Sequence, residues 1–157
     1  MAIAVITGST RGIGLGLARE FVKRGHSVVV SGRTESAIQE ALFDLKNDVR
    51  GRAQAIGVAC DVSAIDQVQA LWDKAVEMFG SVDYWLNNAG VIHKYENVLD
   101  LSPSDYSMLV QINLTGVIHG TQVASQGMKT QDGGGWIYNM EGFGSDGMTR
   151  PGLTLYG

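Results

Sequence analysis

Three glycines set close together at the end of an apolar run constrain this chain more than any other feature. Residues 2–6 are continuously apolar, Thr7-Gly8-Ser9-Thr10-Arg11-Gly12-Ile13-Gly14 follows, and Ile13, Leu17, Ala18, Phe21 and Val22 then recur at helical spacing. A buried strand that turns on glycines into a helix makes a phosphate site. Glycine lets the backbone approach an anion closely, and the helix's unpaired N–H groups and positive dipole end face it. The bland alternative is a tight strand–helix connection with no ligand. The spacing is G-x-x-x-G-x-G (Gly8, Gly12, Gly14) rather than the commoner G-x-G-x-x-G. No Lys-Ser or Lys-Thr follows the last glycine, which excludes a P-loop.

Downstream, short apolar runs alternate with amphipathic ones. Gly25 ends the first helix after Lys23 and Arg24, which suit its negative end. Residues 27–31 predict a second strand. Thr34 then caps a helix whose buried face is Ile38, Ala41, Leu42 and Leu45. Residues 53–60 predict a third strand, ending at Asp61. Ser63 caps the next helix, with Ile65, Val68, Leu71, Trp72, Ala75, Val76 and Phe79 on its stripe and Gly80 at its end. Residues 82–86 predict a fourth strand running into Asn87-Asn88-Ala89-Gly90. Ser102-Pro103 opens one long helix reaching about Met128, and residues 136–140 form a fifth strand. Residues 141–157 show no clean period.

Near-continuous apolar strands alternating with amphipathic helices specify an α/β fold, a parallel sheet covered on both faces. Right-handed crossovers make it doubly wound, most simply in strand order 3-2-1-4-5. In such sheets a ligand sits beyond the carboxyl ends of the strands where the order reverses, here between strands one and four. The glycine turn and residues 87–90 both fall there, a coincidence that a ligand-free turn does not supply.

At 157 residues, with no repeat and no linker, residues 1–157 read as a single domain. A net charge of −4 without any Lys/Arg cluster argues against nucleic acid and anionic membrane as partners. No apolar stretch nears the ~20 residues of a membrane span, and residues before Thr7 lack the basic flank of a signal peptide. The single Cys60, in an apolar run, reads as a small buried hydrophobe in a reducing compartment, cytoplasmic or another. His93 and His119 lack partners at metal-ligand spacing, so no metal site is expected and packing is the reading for both. His26 sits at a helix end, where it complements the dipole. Glu96, Asp100 and Asp105 read as surface and capping residues.

Taken together, Thr7-Gly-x-x-x-Gly-Ile-Gly14, Asp61-Val62, Asn87-Asn-Ala-Gly90, Asn113 and Tyr156 resemble the short-chain dehydrogenase/reductase family, across the whole chain and in the family's order. The resemblance implies a Rossmann-type dinucleotide-binding domain. Gly8, Gly12, Ile13 and Gly14 would cradle the pyrophosphate, with Ser9, Thr10 and Arg11 of the same turn also binding the cofactor. Asp61 and Val62 would hold the adenine, and Asn88, Ala89 and Gly90 would line the ribose side. Asn113 would serve a proton relay and Tyr156 would be the acid/base. The chemistry implied is hydride transfer between nicotinamide and a small-molecule carbonyl or alcohol. A free tyrosine titrates near pH 10, so Tyr156 needs a nearby cation to work near neutrality. In the family that cation is a lysine four residues on, past Gly157. The chain therefore reads as a fragment, incomplete at its C-terminus, its sheet truncated before the last strands and by itself inactive. The family's usual dimer implies a homo-oligomer for the complete protein.

Cofactor choice has a physical basis. A carboxylate ending strand two would accept hydrogen bonds from the ribose 2′-OH and repel a 2′-phosphate. Here the strand ends Ser31-Gly32-Arg33, with no acid, and Arg11 lies in the turn. Two guanidiniums at that corner favour NADP(H) over NAD(H); the alternative for Arg33 is a solvated helix-start residue.

One departure from the family is informative. Where an Asn-x-Ser-Ser run and its substrate-holding serine are usual, this chain has Asn139-Met140-Glu141-Gly142-Phe143-Gly144-Ser145. Ser145 is the nearest hydroxyl, with Thr149 and Thr154 as substitutes. That pattern, with Ala59-Cys60-Asp61-Val62, is similar to one branch of the family, the chlorophyll(ide) b reductases, which reduce a formyl group on the chlorin ring. Trp136, Tyr138, Phe143 and Met148 would offer a tetrapyrrole a flat apolar surface, or else are core. Glu141 either orients a substrate group or bonds backbone N–H groups of the glycine-rich turn. A rival function is a dinucleotide-binding sensor or scaffold without turnover.

Overall fold

A computed structural model of the chain describes residues 1–92 and 97–142. Its strands are β1 (Ile3–Ile6), β2 (Ser27–Gly32), β3 (Ala55–Ala59), β4 (Tyr84–Asn87) and β5 (Trp136–Asn139). They form one parallel sheet in the order β3-β2-β1-β4-β5, the doubly wound order that the sequence predicts. Helix α1 (Gly12–Lys23) and α2 (Glu35–Leu45) cover one face. Helix α3 (Ile65–Phe79) and α5 (Gly116–Met128) cover the other. Val5, Val29 and Trp85 point to the α3/α5 side, whereas Ala4, Ile6, Val28 and Val30 point to the α1/α2 side. That two-sided burial explains why β1 and β2 read as unbroken apolar runs.

Several boundaries differ from the sequence reading. The fourth strand begins at Tyr84, not at residue 82, because the side chain of Gln131 takes both the N–H and the C=O of Val82, at 3.1 and 2.9 Å. The third strand is shortened at both ends. Ser63 does not cap α3: its hydroxyl donates to Asp61 Oδ1 at 2.7 Å, and Ala64 occupies the N-cap position. Thr34 stands at the N-cap of α2, but its side chain makes no capping bond. Ile65 is largely exposed rather than on the buried stripe of α3.

The helix predicted from residue 102 to 128 is not uniform. It opens as α4 (Pro103–Leu109) with a capping box between Ser102 and Asp105, widens into a π-helical segment over Val110–Thr115, and continues as α5. A π turn shifts the hydrogen-bond ladder by one residue and is commonest at functional sites. Trp136 and Tyr138 are not core: both lie exposed on the sheet face shared with Tyr84, whose ring centroid is 6.4 Å from that of Tyr138. Phe143 and Met148 lie outside the described residues. Among the described residues no helix is long and apolar enough to cross a membrane, and no group of His, Cys, Asp or Glu is placed to hold a metal.

Candidate dinucleotide site

The carboxyl ends of β1 and β4 are locked together by residues that also shape a cleft. Thr7 is buried, and its hydroxyl donates to Leu86 O at 3.2 Å while accepting from the N–H groups of Asn88 and Ala89 at 2.9 and 3.0 Å. The Asn88 amide returns to Thr7 O at 2.9 Å and Gly8 O at 3.1 Å. Gly8 adopts φ +62°, and a Cβ there would lie 2.7 Å from Ala89 Cα. Only glycine meets both demands. Thr7 opens the glycine motif in the sequence, but nothing in the motif shows that its hydroxyl ties the ends of β1 and β4 together.

The cleft beyond these strand ends has a volume of about 590 Å³. Gly8, Thr10, Arg11, Gly12, Ile13 and Gly14 line it from the turn, and Arg33, Asp61 and Val62 from the β2 and β3 ends. Asn88, Ala89 and Gly90 close it from β4. Ile13 therefore faces the cleft, exposed, and does not belong to the core stripe of α1. Ser9 points elsewhere: its fully buried hydroxyl donates to Ile6 O at 2.7 Å and accepts from Ser31 N–H at 2.9 Å, holding the turn against β2. Cys60, Val91, Ile92, Ile112 and Met140 also line the cleft and were not anticipated. Glu141, left open in the sequence, lines it too, whereas Trp136 and Tyr138 do not.

The cleft suits an anion. Helix α1 starts with no side-chain cap and no acid in its first turn, so its leading N–H groups are left for a ligand. A Cβ on Gly14 would come within 2.5 Å of Asn88 Nδ2 and 2.7 Å of Gly8 O, so the turn has closed to where only a bare backbone fits. These features fit a diphosphate. Arg11 and Arg33 are exposed on the lip, and neither forms an ion pair among the described residues.

Asp61 accepts from Ser63 Oγ at 2.7 Å and Ser63 N–H at 3.0 Å. Those two bonds, the hydroxyl first, hold its carboxyl below the ordinary carboxylate range, with the Arg33 charge a smaller influence. Such a group contributes stability at neutral pH that is lost as pH falls through its lowered pKa. Its neighbour Cys60 is pushed up to about 12, by burial first and then by the charges of Asp61 and Asp66. At pH 8 the folded thiol is expected to react with iodoacetamide more than about tenfold more slowly than the unfolded chain, since burial both shields the sulfur and disfavours its thiolate. A rate within tenfold of the unfolded one would contradict the burial.

Asn113 lies in the π segment, and both ends of its amide are taken by Val91: Oδ1 accepts from Val91 N–H at 2.8 Å, and Nδ2 donates to Val91 O at 2.8 Å. The side chain holds the loop that follows Gly90. His119 is a half-buried bridge to Val62 O, and His26 accepts from Ala2 N–H at 3.1 Å. Tyr156 and Ser145, with Thr149, Thr154, His93 and Glu96, lie outside the described residues.

Comparison with known proteins agrees with this geometry. A model of the short chain dehydrogenase family matches residues 2–157. The probable chlorophyll(ide) b reductase NYC1 of Arabidopsis thaliana, a chloroplastic protein, is 35% identical over 98% of this chain and 34% of its own length. The chain thus spans about a third of that relative. The 3-ketoacyl-(acyl-carrier-protein) reductase of Brucella melitensis complexed with NADH superposes with a TM-score of 0.88 at 31% identity, over 99% of this chain and 62% of that one. An alcohol dehydrogenase from Thermococcus sibiricus complexed with 5-hydroxy-NADP does so with a TM-score of 0.86 at 25% identity, over 99% and 64%. Structural neighbours thus carry cofactors of both the NAD and the NADP type. With the family's motifs at the sheet's switch point and its model matching nearly every residue, the chain belongs to the short-chain dehydrogenase family of oxidoreductases.

Proposed function

We propose that this chain is a single dinucleotide-binding domain of an NADP(H)-dependent oxidoreductase, transferring a hydride between nicotinamide and a carbonyl or alcohol. The observation that carries the reading is the uncapped start of α1, opening on a glycine-walled cleft with Arg11 and Arg33 on its lip. The chain's residues divide the work. The α1 turn takes the pyrophosphate, the two arginines take the ribose 2′-phosphate, and Asp61 with Val62 takes the adenine. Asn88, Ala89 and Gly90 flank the ribose. Bound there, the nicotinamide supplies or accepts the hydride. Asn113 holds the Val91 loop, and through it the wall on that side; Tyr156 is the proposed proton donor and Ser145 the proposed substrate-oxygen partner.

For substrate, we propose the formyl group of chlorophyll(ide) b, supported by the run Asn139-Met140-Glu141-Gly142 at the sheet's carboxyl edge and by the likeness to NYC1. A reducing compartment suits the buried Cys60. Tyr106, Val110, Leu114 and Ile118, spaced by four along α4, the π segment and α5 and all at least 45% exposed, support a homo-oligomer through that helix.

The test is binding followed by turnover. NADPH is expected to bind more tightly than NADH. Arg33→Ala is expected to weaken NADPH about tenfold or more, the worth of a charge-assisted contact of ~1.5–3 kcal/mol, while leaving NADH within about twofold. In the full-length protein, absorbance of the reduced nicotinamide should then fall when chlorophyllide b is added. Equal losses for both cofactors would remove Arg33 from the phosphate, and cofactor binding with no absorbance change for any carbonyl would leave a binding protein.

A further inference from the structure

We propose that His119 is a positioning residue that sets Val62 at the adenine end of the cleft. The inference rests on the dinucleotide reading above and goes beyond it, because it assigns the adenine end to a helix on the far side of the sheet order. Val62 lies in the connection between β3 and α3, where no strand partner is available to its carbonyl. It is buried, yet it lines the cleft beside Asp61. A buried carbonyl in a connection needs a partner, and α5 supplies it: His119 Nδ1 lies 3.0 Å from Val62 O. Since a carbonyl oxygen only accepts, Nδ1 carries the proton.

The contact is seated by a second residue. Gly116 stands three positions earlier, on the same side of the helix. A Cβ there would fall 2.6 Å from Val62 Cγ2 and 3.0 Å from its Cβ. The bare backbone of α5 therefore rests on the Val62 side chain while His119 grips its carbonyl. Asn113, a further three residues back, holds Val91 through both ends of its amide. One side of one helix thus carries Asn113, Gly116 and His119 in steps of three, and fixes both the adenine lip and the wall after Gly90. Without His119, Val62 keeps its packing but loses the bond that fixes the height of its peptide.

Three probes separate this from a merely structural role: NADPH, adenosine 2′,5′-bisphosphate, and inorganic pyrophosphate, which needs only the glycine turn. In the 157-residue chain, His119→Leu is expected to weaken the two adenine ligands about tenfold and pyrophosphate less than twofold. His119→Asn, which returns an amide N–H near the Nδ1 position, is expected to restore adenine binding to within about threefold of the parent. Equal weakening of all three ligands, or no weakening of any, overturns the proposal. Failure of the parent chain to bind NADPH or the bisphosphate would instead overturn the dinucleotide reading, and this proposal with it. Should His119→Leu fail to fold, the ¹⁵N spectrum of the parent's imidazoles decides. Protonated Nδ1 at His119 supports the contact, and a neutral ring protonated on Nε2 overturns it.

Discussion

Replacing Gly14 with alanine is expected to destabilise the chain by about 2–4 kcal/mol and to abolish NADPH binding, while the same change at Gly16 is expected to stabilise it by about 0.5–1 kcal/mol. Two glycines two residues apart in one helix should respond with opposite signs. At Gly16 a Cβ meets nothing within 4 Å, so alanine only removes the conformational cost of glycine in a helix. At Gly14 the added methyl would sit 2.5 Å from Asn88 Nδ2, 2.7 Å from Gly8 O and 2.8 Å from Ser9 Cα. Two of those neighbours are backbone and cannot swing aside. Overpacking of that kind costs about 1–3 kcal/mol. Displacing the Asn88 amide also breaks its bonds to Thr7 O and Gly8 O, each worth about 1 kcal/mol, and alanine's better helix propensity returns about 1 kcal/mol of the total. Thermal melts read the result directly: at roughly 2–4 °C per kcal/mol for a domain of this size, Gly14→Ala should melt some 5–15 °C lower. If both variants melt higher than the parent, the turn is looser than the geometry described here.

The parts of this fold that were legible in the sequence are those whose cause is local. Strand order followed from unbroken apolar runs, and the cleft from two glycine-bearing turns that the order brings to one edge. What could not be read depends on partners and packing outside the pattern of the element itself. Gln131 claims Val82 from 49 positions away, so no pattern within the strand marks its late start. Ser63 looked like a cap because serine before a helical stripe usually is one, but an aspartate two residues earlier took its hydroxyl. Ile13 has helical spacing with Leu17, yet the first turn of α1 overhangs the cleft, so its side chain is exposed. The π segment leaves no mark on hydrophobic period, since a single widened turn shifts the face by about one residue. Within the site, Thr7 and His119 act through hydroxyl and imidazole bonds to backbone atoms, which carry no sequence spacing at all.

Beneath the cleft, Gly120→Ala is expected to cost about 3–5 kcal/mol, because α5 crosses β4 at a polar hub with no room for a methyl. Trp85 is fully buried, and its indole N–H donates to Asn87 Oδ1 at 2.8 Å. The Asn87 amide donates in turn to Asn139 Oδ1 at 2.8 Å and Thr121 Oγ1 at 3.1 Å, so one side chain joins β4, β5 and α5. A Cβ on Gly120 would overlap Asn87 Oδ1 and come within 2.8 Å of Trp85 Nε1. Moving the Asn87 carbonyl aside strands the indole N–H in a dry core, a loss of about 1–3 kcal/mol, and overpacking adds a similar amount. In urea the midpoint should fall by roughly 1–3 M with an unchanged slope, since the same surface is exposed on unfolding. A double-mutant cycle identifies the cause. Asn87→Ala alone also strands the indole, but it opens the space that a methyl at residue 120 needs. The combined variant should therefore cost at least about 1 kcal/mol less than the two single changes summed. Simple additivity would mean that Gly120 does not seat against the Asn87 amide.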